Sequence, residues 1–147
     1  MIKMINIRKK IITHREAIAK CDVYISPATL KIIKSGSLPK GDVLTAAKLA
    51  GILAAKKTAE LLPLCHPLNL TSIDVQIDIK KSKPILEIIS TVTIDAKTGV
   101  EMEALMACSI AALTIYDMCK SVQKDIVISN LRLVKKTGGK SGKYKHE

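Results

Sequence analysis

The sequence predicts an α+β fold, an antiparallel sheet with its helices packed on one face, and three observations predict it. Residues Ile73-Asp74-Val75-Gln76-Ile77-Asp78-Ile79-Lys80 alternate apolar and polar without an error, the period of a strand with one buried face. After a turn at Lys81–Pro84, Leu86 to Ile94 alternates again, so the two segments form a hairpin. Two long stretches, Val43–Leu62 and Thr98 to about Val122, carry apolar residues at helical spacing instead.

Taken in chain order, Ala19–Ile25 reads as a loosely alternating strand ending at Ser26-Pro27. Ser26 can cap a helix and Pro27 suits its first turn, so a short helix runs to Lys34 and Gly36 closes it. Asp42 offers the next N-cap, ahead of a helix marked by Val43, Ala47, Ala50 and Ala54 and stopped by Pro63 and Pro67. Beyond the hairpin, Thr98-Gly99-Val100-Glu101 has the form of a capping box opening the second long helix. Ile126–Val134 reads as a last strand before a Lys- and Gly-rich tail. Strand, helices, strand, strand, helix, strand is the ferredoxin-like split βαβ order. One sheet face is left without helices, with Asp74, Gln76 and Asp78 beside Ile85, Glu87 and Ile89; it is either wet or meets another subunit. The 147 residues suit a single domain, 1–147, whose ends, 1–15 and 136–147, are expected to be flexible.

Lys and Arg number 24 against 13 Asp and Glu, a formal charge of +11 that attracts polyanions: nucleic acid, acidic lipid or a phosphorylated metabolite. Binders of single-stranded nucleic acid stack bases on aromatic rings, and here there is no Phe or Trp and only Tyr24, Tyr116 and Tyr144. Cys21, Cys65, Cys108 and Cys119 form no Cys-x-x-Cys pair, and no signal peptide or transmembrane run precedes them, which points to a reducing, cytoplasmic setting.

Asp117 and Lys120 lie three apart on one side of the second long helix, with Lys124 a turn further. They are either a solvated ion pair, the commoner case for such spacing, or an acid/base pair in which Asp117 orients Lys120; the apolar neighbours Ile115, Tyr116, Met118 and Cys119 add weight to the second. Glu101 and Glu103 open the same helix, where they complement its dipole or accept hydrogen bonds from ring N–H groups of a purine-like substrate. Glu103 and Lys120 are separated by roughly 25 Å along a straight helix. If both serve one small substrate, the site lies between subunits. Pro63-Leu64-Cys65-His66-Pro67 is a turn stiffened by two prolines that can hold His66, and its single Cys-His pair is a weak metal signal. Lys135-Lys136-Thr137-Gly138-Gly139-Lys140-Ser141-Gly142 lacks the first Gly of a Walker A loop. It is either a plain basic tail or a phosphate clamp using Lys136 and Lys140, helped by Lys40.

Together these segments resemble the cyclic pyranopterin monophosphate synthases of molybdenum cofactor biosynthesis. The matching blocks are Lys40-Gly41-Asp42-Val43, Leu62-Pro63-Leu64-Cys65-His66-Pro67-Leu68, Lys97-Thr98-Gly99-Val100-Glu101-Met102-Glu103, Leu113-Thr114-Ile115-Tyr116-Asp117-Met118-Cys119-Lys120, Val122-Gln123-Lys124-Asp125 and Gly138-Gly139-Lys140-Ser141-Gly142. The N-terminus matches less well: Asn6 and Arg8 depart from the family pattern, while Lys10, Thr13 and Arg15 stay in register.

The resemblance implies a homohexamer, a trimer of dimers with sites between subunits. It also implies a substrate, 3′,8-cyclo-7,8-dihydroguanosine 5′-triphosphate, converted to cyclic pyranopterin monophosphate with release of pyrophosphate, a lyase reaction. It makes Asp117 and Lys120 the acid/base centre and brings Leu64, Cys65, His66, Met102 and Glu103 to the substrate. It places Glu101, Lys40, Lys136 and Arg15 along the pocket or at the phosphates. No cofactor is required, although Mg²⁺ can accompany the triphosphate, and neither nucleic acid nor membrane is a partner. The chemistry suits a Lys whose pKa is lowered, relaying protons beside a carboxylate, with further lysines facing the departing pyrophosphate. A basic ferredoxin-like RNA-binding module and a nucleotide-binding oligomer without turnover are the alternatives. The first predicts steeply salt-dependent retention on RNA. The second is opposed by the presence of both Asp117 and Lys120.

Overall fold

A computed structural model describes residues 1–146; position 147, the end of the tail expected to be flexible, lies outside the described residues. Strand β1 (Thr13–Tyr24) leads into α1 (Pro27–Ser35), α2 (Val43–Lys56) and a single turn, α3 (Thr58–Leu61). The hairpin β2 (Ser72–Ile79) and β3 (Ile85–Ala96) follows, then α4 (Glu101–Cys119), β4 (Val127–Thr137) and a short β5 (Tyr144–Lys145). The five strands form one antiparallel sheet in the order β2-β3-β1-β4-β5, and the first four have the ferredoxin-like arrangement that the sequence predicts.

The predicted caps form at α1 and α2. Ser26 Oγ accepts from the Thr29 amide, Gly36 ends α1 at φ 68, and Asp42 accepts from the Leu44 and Thr45 amides. The helix expected to run to Leu62 breaks at Lys57. There the buried Thr58 hydroxyl donates to the Ala54 and Ala55 carbonyls, competing for groups that would continue the ladder. α4 likewise stops at Cys119, short of Val122. Beyond it, Gln123 turns aside, its amide bonded to the Cys119 carbonyl and its Oε1 accepting from the Ser26 amide and the Thr29 hydroxyl.

Small residues decide how closely the helices lie. The fully buried Ala104, Ala107, Cys108, Ala111 and Ala112 of α4 face Ala17, Ala19, Cys21 and Val23 of β1 and the Ala47–Gly51–Ala54 side of α2. A Cβ on Gly51 would stand 2.9 Å from the Ala107 carbonyl oxygen, so the crossing of α2 over α4 needs glycine there. α4 is apolar and long enough to cross a membrane by composition, but half of it is buried inside this fold.

β1 begins at Thr13 rather than Ala19, so Arg15 belongs to the sheet, and β4 continues through Lys136 to Thr137. The tail then doubles back: Gly138, Gly139 and Gly142 take φ of 88°, 78° and 70°, and Tyr144-Lys145 pairs with Lys136 and Lys135. A side chain on Gly138 would run into the His14 carbonyl oxygen, and one on Gly139 into the Arg15 guanidinium.

Candidate active site

The two ends of α4 carry two separate clusters of the predicted residues. At its C-terminal end Asp117 receives Lys120 Nζ at 2.8 Å on one carboxylate oxygen and Lys40 Nζ at 2.6 Å on the other. The Gly41–Asp42 turn that opens α2 brings in Lys40, whose ammonium also donates to the Asp117 carbonyl. Lys40 therefore joins the Asp117 group and not Lys136 and Lys140, with which the sequence grouped it. Hydrogen bonds from Lys120 and then Lys40 push the Asp117 carboxyl down to about 2, and the Asp117 carboxylate raises the Lys120 ammonium in turn. This differs from the apolar setting and lowered Lys pKa that the sequence suggests. Both side chains are 54% exposed, so burial opposes the carboxylate only weakly.

At the N-terminal end of α4, the Leu64-Cys65-His66 turn faces Glu101, Met102 and Glu103 across a cavity of about 200 Å³. Ile5, Ile7 and Lys10 of the N-terminal segment also line it, residues that pattern reading did not assign to a site. The predicted capping box does not form, since the helix starts from Val100 with no side-chain cap. Its acid has another partner: Lys136 Nζ meets Glu101 Oε1 at 2.9 Å. Burial would raise the Glu101 pKa, but the Lys136 hydrogen bond and the nearby Arg15 charge hold it below the usual value.

Arg15 is 8% exposed and two of its donors are in use. Nε donates to the Ala96 carbonyl at 2.9 Å and Nη2 to the Lys97 carbonyl at 3.1 Å, so the side chain pins the loop that leads into α4. Arg15 and Lys136 thus stand behind Glu101, outside the cavity lining.

Glu103 is different. It is 4% exposed and no Lys, Arg or His lies within 4 Å of its carboxylate among the described residues. Burial, with the Glu101 charge added, raises its pKa against the help of its own backbone amide. Cys65 opposite is raised as well, by burial first and then by Glu103. The polar side chains of Glu103, Cys65 and His66 beside the apolar Leu64 and Met102 suit a flat, polar-edged heterocycle. Among the described residues no group of three or more His, Cys, Asp or Glu could hold a metal ion.

α4 has 19 residues, so the two clusters are separated by roughly 25 Å along its axis. One chain cannot bring both to one small molecule.

Sequence comparison finds relatives that match nearly the whole chain. A cyclic pyranopterin monophosphate synthase of Herpetosiphon aurantiacus is 52% identical over 143 residues, 97% of this chain and 87% of that protein. Another protein of that name, from Nitratidesulfovibrio vulgaris, is 52% identical over 146 residues, 99% of this chain and 91% of the relative. The MoaC family model matches residues 4–139, which include every residue discussed above as a site candidate except Lys140. With identity at this level sustained over nearly its full length, the chain belongs to the MoaC family.

Proposed function

We propose that the protein is a cyclic pyranopterin monophosphate synthase acting in molybdenum cofactor biosynthesis. In this reading it is a lyase that converts 3′,8-cyclo-7,8-dihydroguanosine 5′-triphosphate to cyclic pyranopterin monophosphate and pyrophosphate. The relatives' shared name supports the product, and the observation that carries the chemistry is the Lys40–Asp117–Lys120 cluster. Rearranging a purine-derived ring needs proton transfers at several heteroatoms, and closing a cyclic phosphate expels a polyanion. Two lysines fixed by one carboxylate supply a proton donor and a pair of cations for these tasks. Glu103, His66 and Cys65 bind the ring edge, Leu64 and Met102 its faces. Lys136, set by Glu101 and Arg15, stands near the phosphates. The protein brings no cofactor of its own; Mg²⁺, where present, arrives on the triphosphate.

The complete site is built from the C-terminal end of one α4 and the N-terminal end of another, in a homohexamer arranged as a trimer of dimers. The exposed apolar side chains Leu49 and Leu53 on α2 and Met102 and Leu113 on α4 support such assembly. Within the assembly, a partner's surface would desolvate Lys120 and lower its pKa toward the working range. Substrate and product are small anions, so neither nucleic acid nor membrane is a partner, and the setting is cytoplasmic.

The experiment incubates purified protein with enzymatically prepared cyclic dihydro-GTP and follows pyrophosphate and cyclic pyranopterin. Wild type is expected to form both and a folded Lys120→Ala variant neither. Retention on RNA with a steep salt dependence and no turnover would instead favour the RNA-binding alternative.

A further inference from the structure

We infer that Tyr116 is a positioning residue for Lys120, its hydroxyl fixing the turn from which the lysine reaches Asp117; the inference rests on the proposed activity. Lys120 is the last residue held by the α4 ladder, its amide donating to the Tyr116 carbonyl at 2.9 Å. From there the chain leaves the helix, and the Val122 and Gln123 amides both turn back onto the Cys119 carbonyl, at 2.9 and 3.0 Å. Two amides on one carbonyl close the near side of the turn and leave its far side to side chains.

Two side chains hold that far side. The Tyr116 hydroxyl donates to the Lys124 carbonyl at 2.9 Å, bridging the turn from the end of α4. Gln123 Oε1 accepts from the Ser26 amide at 2.9 Å and from the hydroxyl of the buried Thr29 at 2.7 Å, which ties the turn to the start of α1. The Gln123 contacts join two elements of the fold, whereas the Tyr116 bond encloses the short stretch that begins at Lys120.

Lys120 needs such support. Its side chain is 54% exposed, and among the described residues no carboxylate but Asp117 meets its ammonium. Packing does little to hold the amine, so its backbone must. The phenol also lies close to it: the Lys120 pKa is raised by Asp117 first and, more weakly, by Tyr116. Opening the turn would shift Lys120 against Asp117 and leave the Lys40 contact, which comes from the Gly41–Asp42 turn, in place. Proton transfer depends steeply on that geometry.

The test compares wild type with Tyr116→Phe, which keeps the ring and removes only the hydroxyl, in steady-state kinetics and in amide hydrogen exchange. kcat for cyclic dihydro-GTP is expected to fall about tenfold with KM within about twofold of wild type, since the groups that bind ring and phosphates are untouched. Exchange at the Val122 and Gln123 amides is expected to rise about tenfold while β1 and β3 exchange as in wild type, the mark of an opened turn in an intact fold. Unchanged exchange at the turn would overturn the inference whether or not the protein turns over, and so would faster exchange with a wild-type kcat. Faster exchange in a protein without any turnover would sink the activity and still support the hold of Tyr116 on the turn.

Discussion

Replacing Glu103 by Gln should make the protein more stable and less active. The side chain is 4% exposed with no cation beside it, so an ionised carboxylate there loses its water without an ionic partner in return. A buried charged group left in this state costs about 1–3 kcal/mol. Its position in the first turn of α4 offsets about 0.3–1 kcal/mol through the helix dipole. Gln keeps the shape and removes the charge, for a net gain of about 1–2 kcal/mol, or about 2–8 °C in melting temperature for a chain of this size. The pH dependence has a fixed sign. The folded-state pKa is raised above the unfolded value of 4.5, so below 4.5 both states bind the proton and the variant's advantage vanishes. As pH rises through the folded pKa, the wild type loses stability relative to the variant. Urea unfolding of both proteins from pH 4 to pH 8 measures this directly. A Glu103→Gln protein that is less stable at pH 8, or whose advantage persists unchanged to pH 4, would refute the reasoning. Because the group is already buried in the single chain, assembly can add little to its desolvation.

Ile115→Ala, which empties a fully buried position under the sheet, should lower urea stability by about 2–5 kcal/mol. Arg15→Ala leaves the Ala96 and Lys97 carbonyls without their donor and should cost about 2–3 kcal/mol, with Lys a poor substitute because it lacks the guanidinium fork. If Arg15 acts chiefly by pinning the loop before α4, KM of the folded fraction should move less than stability does in the same preparations.

Much of the sheet was legible because β2 and β3 alternate cleanly, and the caps of α1 and α2 use residues whose side chains match the orphan amides. The start of β1 was hidden because Arg15 occupies an inward position and breaks the apolar alternation that Ala17, Ala19, Cys21 and Val23 maintain. The end of α2 was hidden because Thr58 reads as an ordinary helical residue until its hydroxyl is seen on two carbonyls. In the site, the split between the ends of α4 followed from counting residues along one helix. The partners of Lys40 and Glu101 did not, since those contacts join positions 77 and 35 residues apart. Nothing in local pattern signals such a pairing. The N-terminal wall was missed for a related reason: Ile5, Ile7 and Lys10 belong to no periodic element, and only the fold sets them against Leu64 and Met102.

The central claim is that one working site takes Lys120 from one subunit and Glu103 and His66 from another. It is tested most directly by mixing two inactive variants, Lys120→Ala and His66→Ala, through co-expression. If sites form between chains at random, about a quarter combine two intact halves, so mixed oligomers should recover about a quarter of wild-type turnover while each variant alone stays inactive. Mixed oligomers that form, as shown by differential tags, and yet remain inactive would contradict the account and place the whole site within one chain.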